Sequence, residues 1–364
     1  MQTSSRKLLV VLIVLLALGY AIYHSSGMMH LGDFSGARLL FAIRHADPLL
    51  LILSLIAIYA CYALRSLRWK LFQRNLGPSR FIPIYAMTLA GFAAIFLLGR
   101  AGEPVRPLLL ARKEKLPIAD LFGIYALERL FDLASAAVIA AVGLLLFQSH
   151  AHVGETAGKL ETAAKTTGSL LFAGVIGAII FLLYLRLHGS ALLERRMQGW
   201  VIAHGWRGRI AGIILGFARG VQAIQSRSDL ALSVFYSAVH WFFVLLVFLW
   251  VSHSFGGSLS TINLGDAMLV MSFTLVGSAV QLPGVGGGSQ VASFLAYTAV
   301  FGVEKEAAAA ASIVVWLITF AAVSLAGVPL LIHEGLSLGK LKDMAEHEKE
   351  AAIEGAAQQG DSTQ

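Results

Sequence analysis

Charge is scarce in this chain: Asp, Glu, Lys and Arg make up 13% of its 364 residues, against about 25% in an ordinary soluble domain. That cannot cover a water-facing surface, so a soluble globular protein is excluded. Cysteine is nearly absent too. The single thiol, Cys61, lies inside an apolar run, which rules out an intramolecular disulfide and a Cys-rich zinc site and leaves the redox compartment unmarked. No Gly-Lys-Ser/Thr follows a glycine run, and no strand pattern precedes one, which excludes a P-loop. The residues present are 57% hydrophobic, with a mean hydropathy of +0.75. Apolar stretches near 20 residues match roughly 30 Å of bilayer hydrocarbon at 1.5 Å per helical residue. An all-α polytopic membrane protein follows. The net charge of +7 would suit nucleic acid only if the basic residues shared one face. They sit between apolar segments instead, so no nucleic-acid partner is expected.

Leu8 to Tyr23 follows Arg6 and Lys7, the arrangement of a cleavable signal or a retained anchor. No small-x-small cleavage site follows, which favours the anchor. Further full-length candidates are Ala46 to Leu64, Leu121 to Gln148, Gly168 to Leu187, Asp229 to Ser254 and Ser312 to His333. Two stretches are interrupted. One runs from Phe81 to Leu98, meets Gly99-Arg100-Ala101-Gly102-Glu103-Pro104 and resumes as Val105 to Ala111. The other runs from Leu264 to Leu282, meets Pro283-Gly284-Val285-Gly286-Gly287-Gly288 and resumes as Ser289 to Val303.

Loop charge decides the threading, because Lys and Arg concentrate on the cytoplasmic side. Met1 to Lys7, Arg65 to Arg80, Arg100 to Lys115, Arg186 to Arg227 and the tail after His333 hold 22 of the 28 Lys and Arg residues, and all should be inside. Six full spans from a cytoplasmic N-terminus satisfy this if Phe81 to Ala111 is a re-entrant helical hairpin from the cytoplasmic face and Leu264 to Val303 one from the external face. The competing threading makes each arm a full span, which the short Val105 to Ala111 supports poorly. Broken elements entering from opposite faces resemble the inverted arrangement of secondary transporters. Residues 1–335 are expected to form one transmembrane domain, with 188–228 as a cytoplasmic linker that is amphipathic on the inner leaflet or a plain solvated loop. Residues 336–364 read as a flexible cytoplasmic tail.

Unpaired backbone polar groups cost several kcal/mol in hydrocarbon, so a glycine-rich turn at membrane depth belongs inside protein or beside a wet cavity. At the first break Gly99 and Gly102 allow a tight turn and Pro104 suits an early helical position. Amides at that helix start, with Arg100 and Arg106, suggest a nest for phosphate, with Glu103 beside them. The plain alternative is a cytoplasmic loop whose arginines obey the charge rule. In Leu121 to Gln148 stand Glu128, Arg129 and Asp132, and an unpaired charge at a helix centre costs about 2.5 to 3.5 kcal/mol. Glu128 and Asp132 share a face, and Arg129 is three residues from Asp132, so a local pair is available. The alternative is that the cluster faces the first hairpin, with Glu128 or Arg129 meeting Arg106 or Glu103. Pro283 to Gly288 cannot continue a helix cheaply. Gln281 and Gln290 flank it as neutral hydrogen-bonding groups. His24, His30, His45, His150, His152 and His240 show no metal-ligand spacing, so neither a metal nor a cofactor is expected.

Gly99-Arg100-Ala101-Gly102-Glu103-Pro104-Val105-Arg106, followed by Glu128-Arg129, is similar to the Gly-Glu-x-x-Arg and Glu-Arg motifs of the lysylphosphatidylglycerol synthase transmembrane region, the flippase-like or UPF0104 family. Pro283-Gly284-Val285-Gly286-Gly287-Gly288-Ser289-Gln290 resembles its Pro-Gly-Gly-Leu-Gly-x-x-Glu turn. Here Gln290 replaces the usual acid and Val285 the second glycine. A stand-alone member is expected, without the soluble aminoacyl-transferase domain of full-length synthases. The resemblance implies a stand-alone lipid flippase or lipid-substrate carrier of a bacterial inner membrane, linked to envelope, hopanoid or glycolipid pathways, and loop charge puts both termini on the cytoplasmic side.

The reading is therefore a non-enzymatic carrier that moves a phospholipid or a polyprenyl-phosphate-linked lipid between leaflets. Arg100 and Arg106 neutralise the phosphate; Glu103, Glu128 and Asp132 position them or meet a cationic head group, and Arg129 is a further substrate-binding candidate. The glycines at 102, 284, 286, 287 and 288, with Pro283 and Gln290, line the route. Its membrane lipids are the expected partners, with an envelope glycosyltransferase or lipid-modifying enzyme as a further candidate. Two rivals stand beside it. One is a membrane-embedded enzyme on a lipid phosphate with Glu103 or Asp132 as general base, which lacks a nucleophile or metal. The other is a non-transporting scaffold for a glycosyltransferase.

Overall fold

Asp47 opens the first long helix: its carboxylate accepts from the Leu49 amide at 2.8 Å, and Pro48 occupies the first turn, where a missing N–H costs nothing. The computed structural model describes residues 35–74, 76–77, 79–147, 155–188 and 226–334. It is built from α1 (Gly36–His45), α2 (Pro48–Gln73), α3 (Phe81–Leu98), α4 (Val105–Glu114), α5 (Ile118–Leu146), α6 (Glu155–His188), α7 (Arg227–Ser254) and α8 (Leu264–Gly277). A short hairpin β1 (Gln281–Leu282) and β2 (Gly286–Gly287) comes next, then α9 (Gly288–Leu295), α10 (Lys305–Trp316) and α11 (Ala322–His333). A π-turn, Leu317–Ala321, joins α10 to α11. The Leu8 to Tyr23 anchor, the 188–228 linker apart from its first residue and its last three, and the tail fall outside the described residues.

Among the described residues, five segments are long and apolar enough to cross a membrane: Pro48–Gln73, Phe81–Gly102, Asp120–Leu146, Arg227–Ser254 and Lys305–His333. The fold is that of a helical polytopic membrane protein. Several boundaries differ from the sequence reading: α6 begins at Glu155, not Gly168, and the last span at Lys305, not Ser312. The first span does not stop at Leu64: α2 continues to Gln73, so Arg65 and Arg68 are buried helical residues and not part of a loop. Their side chains find partners inside the protein, and that removes the reason for the helix to end where charge begins. Phe81–Gly102 is itself 22 residues, the length of a span, while Leu264–Gly277 is a shorter apolar helix.

Small residues set the close approaches. A Cβ on Gly327 of α11 would collide with the Leu89 carbonyl of α3, and one on Gly102 with the Ala94 carbonyl. The buried residues form two clusters. One joins α2, α7, α8 and α10 through Tyr62, Trp241, Phe248, Met271 and Val315. The other joins α2 through α5 around Trp69, Phe72, Met87, Leu110 and Leu121. The long helix α5 links them. Its first half holds Arg106 of α4, whereas Gly143 near its end faces Met268 and Leu269 of α8, and Gly265 faces Leu146.

Candidate functional site

Helix α5 presents Glu128, Arg129 and Asp132 over little more than one turn, and α2 presents Arg65 and Arg68 three residues apart, so each set shares a face. Helix α4 adds Arg106. Arg106 Nη1 donates to both carboxylate oxygens of Glu128 at 2.9 Å. Arg65 bridges the two acids, from Nε to Glu128 and from Nη2 to Asp132. Arg68 donates from Nη2 to Asp132 Oδ1 at 2.6 Å and from Nη1 to Ser237 of α7 at 2.7 Å. Arg129 Nη2 lies 3.3 Å from Glu128 and 3.2 Å from Asp132.

Aromatic rings cover the guanidinium faces. Arg106 lies 4.3 Å from the Trp69 centroid, Arg129 5.1 Å from Tyr125 and Arg65 5.3 Å from Phe92, distances at which the ring quadrupole attracts a cation. Gly91 makes room: a Cβ there would sit 2.5 Å from Arg106 Cβ. The helices therefore approach closely enough for Arg106 to reach α5. Of the two arrangements open at the sequence level, both are made: Glu128 meets Arg106, and Arg129 pairs with Asp132. Sequence reasoning missed Arg65 and Arg68, whose i, i+3 spacing fits one helix face but does not show whether the helix continues past the apolar run.

The two breaks touch each other. The Gly284 amide donates to the Phe96 carbonyl at 2.7 Å. Arg100 donates from Nε to the Ala279 carbonyl at 3.1 Å and from Nη2 to Ser278 at 3.3 Å, satisfying carbonyls just past the end of α8. Arg100 also pairs with Glu103 at 3.5 Å, and Glu103 accepts from the Tyr125 hydroxyl at 2.8 Å. Arg100 and Arg106 thus serve different partners and do not make one nest. Between Leu98 and α4 the chain continues as a 3-10 turn, Gly99–Gly102, entered through Gly99 at φ +65°.

The second break is a β-hairpin, with Gln281 opposite Gly287 and Leu282 opposite Gly286. Gly284, Gly286 and Gly287 have φ of +71°, +88° and +110°, values L-residues with a Cβ rarely adopt. Gly288 donates to the Val280 carbonyl at 2.9 Å and begins α9. Gln290 holds the turn from inside: its Oε1 accepts from the Gly287 amide at 2.7 Å and its Nε2 donates to the Val285 carbonyl at 2.9 Å. An amide can do both at once, which a carboxylate cannot. Pro283 lies beside Gly99. Among the described residues no group of three or more His, Cys, Asp or Glu side chains is placed to hold a metal.

The family model described as the lysylphosphatidylglycerol synthase transmembrane region matches residues 7–327. A protein named UPF0104 membrane protein, from Methanothermobacter thermautotrophicus, is 23% identical over 333 residues, covering 83% of this chain and 90% of the relative. No solved structure matches the chain.

Proposed function

This chain belongs to the family of the lysylphosphatidylglycerol synthase transmembrane region, and on that premise we propose that it is a carrier, not an enzyme, which moves a phosphate-bearing lipid between leaflets of a bacterial inner membrane. The observation that carries this reading is the contact between the two broken segments, next to a buried ionic cluster. A structural loop has no need to place two helix interruptions, far apart in the chain, against one another. A carrier has that need, because discontinuous helices leave backbone polar groups free to meet a substrate and give the fold a place to open.

On this reading Phe81 to Ala111 enters and leaves by the cytoplasmic face and Leu264 to Val303 by the external face. In support, α4 and α8 pack at opposite ends of α5. Both termini are then cytoplasmic. The arginine cluster offsets phosphate charge, which would otherwise cost several kcal/mol to bury, while Arg100 and the Pro283 to Gln290 hairpin lie between the two halves of the route.

The test is leaflet transfer of a labelled phospholipid by protein reconstituted in vesicles. An Arg106→Ala variant that inserts and elutes as the parent does should transfer at least tenfold more slowly. Transfer at the parent rate removes the cluster from the route and overturns the reading.

A further inference from the structure

The hydrogen bonds of the ionic cluster are satisfied on one side only. Each of the four carboxylate oxygens of Glu128 and Asp132 has a donor. The arginines do not come out even: Arg68 Nε, Arg106 Nε, Arg106 Nη2 and Arg129 Nε are buried without an acceptor. Charge is unbalanced in the same direction. Four guanidiniums, those of Arg65, Arg68, Arg106 and Arg129, face two carboxylates. Extending the network through Tyr125 to Glu103 and Arg100 adds one charge of each sign. Two positive charges remain uncompensated among the described residues. Three of the four guanidiniums are buried, so the excess is largely withheld from water and favours a counterion, and unfilled N–H donors call for a group made of acceptors.

The cluster is open on one side. The side chain of Arg129 is 41% exposed, whereas those of Arg65, Arg68 and Arg106 are each 9% or less. Four residues further along α5, on the same face, Leu133 is 70% exposed. An amphiphile with its head on Arg129 would lie with its chain along Leu133.

We propose that the cluster binds a lipid phosphomonoester as its dianion, in preference to phosphodiester lipids, with Arg129 as the point of entry. A monoester brings two negative charges and three non-bridging oxygens; a diester brings one charge and two such oxygens. Only the monoester matches the charge excess, and it brings one more acceptor oxygen to the four unfilled donor atoms. The assignment concerns binding, and it rests on the carrier reading only for the transfer step after binding.

Phosphatidic acid and phosphatidylmethanol, with identical acyl chains, test it, since one methyl group separates a monoester from a diester. Each is titrated into the purified full-length protein in neutral detergent and read by native mass spectrometry. Phosphatidic acid should bind at least tenfold more tightly. In Arg129→Gln, a change at a half-exposed position, the preference should fall below threefold. Equal binding of the two lipids by the parent protein overturns the proposal without recourse to any variant. Inorganic phosphate displacing phosphatidic acid at equal concentration overturns its lipid half. Preference for phosphatidic acid without leaflet transfer leaves the monoester site standing and refutes the carrier reading instead.

Discussion

Glu128 accepts from Arg65 and Arg106 and lies within 3.3 Å of Arg129, and it is fully buried. Removing its charge strands cations that cannot reach water. Glu128→Gln should therefore lower stability by about 3 to 5 kcal/mol, the usual cost of breaking a buried pair from one side, seen as a fall in the thermal midpoint in detergent. Arg100 is well exposed, and its pair with Glu103 is long. Arg100→Gln should change stability by less than about 1 kcal/mol, and an equal fall for both variants would contradict this division between buried and exposed charge. Glu128 and Asp132 were visible in the sequence because acids in an apolar run must find partners. Those partners were only half visible. Arg106 lies in a recognisable motif, but Arg65 and Arg68 stand where charge begins after an apolar run, and there a helix that ends and a helix that continues look alike.

At the scale of elements, the two breaks form a joint. Arg100 clasps the carbonyls after α8, and the Gly284 amide clasps the end of α3. Cysteines at Arg100 and Ala279, in a Cys61→Ala background, should be bridged by a short bifunctional reagent. Bridging should stop lipid transfer while phosphatidic acid still binds; unimpaired transfer would show that the joint does not open. The hairpin itself tolerates little. A Cβ at Gly286 would lie 2.5 Å from Trp316 Nε1, at φ +88°. Gly286→Ala should cost about 1 to 3 kcal/mol through strain, measurable as the same thermal shift. That Pro283 to Gly288 interrupts a helix was evident from its glycines. That it folds as paired strands was not, since strands of two residues carry no periodicity.

Across the whole molecule, polar contacts mark the two ends of the helices as well as the ionic cluster between them. The Asp47 amide donates to Ser254, and Glu306 pairs with Arg38, at one end. Arg74 pairs with Asp229 at 2.5 Å, and Lys113 with Glu334, at the other. Apolar helices fill the space between, with Leu49, Ile56, Leu133, Phe242 and Leu325 exposed, as lipid-facing residues should be. Single cysteines in place of Lys115 and Ser258 should react with a membrane-impermeant maleimide from opposite sides, Ser258 from outside intact cells and Lys115 only after permeabilisation. Labelling of both from one side would refute the threading in which α4 and α8 enter from opposite faces.

The membrane class, the positions of both breaks and the motifs of the family are properties of composition and local order, and the chain spells them out. The choice of partners is different. Arg65 reaches Asp132 and Arg68 reaches Ser237 across large separations in the chain, and no local rule of spacing encodes such pairings. They arise because burying several apolar helices together leaves their few charged groups no water to turn to, so each is stabilised only by whatever group the packing brings alongside it.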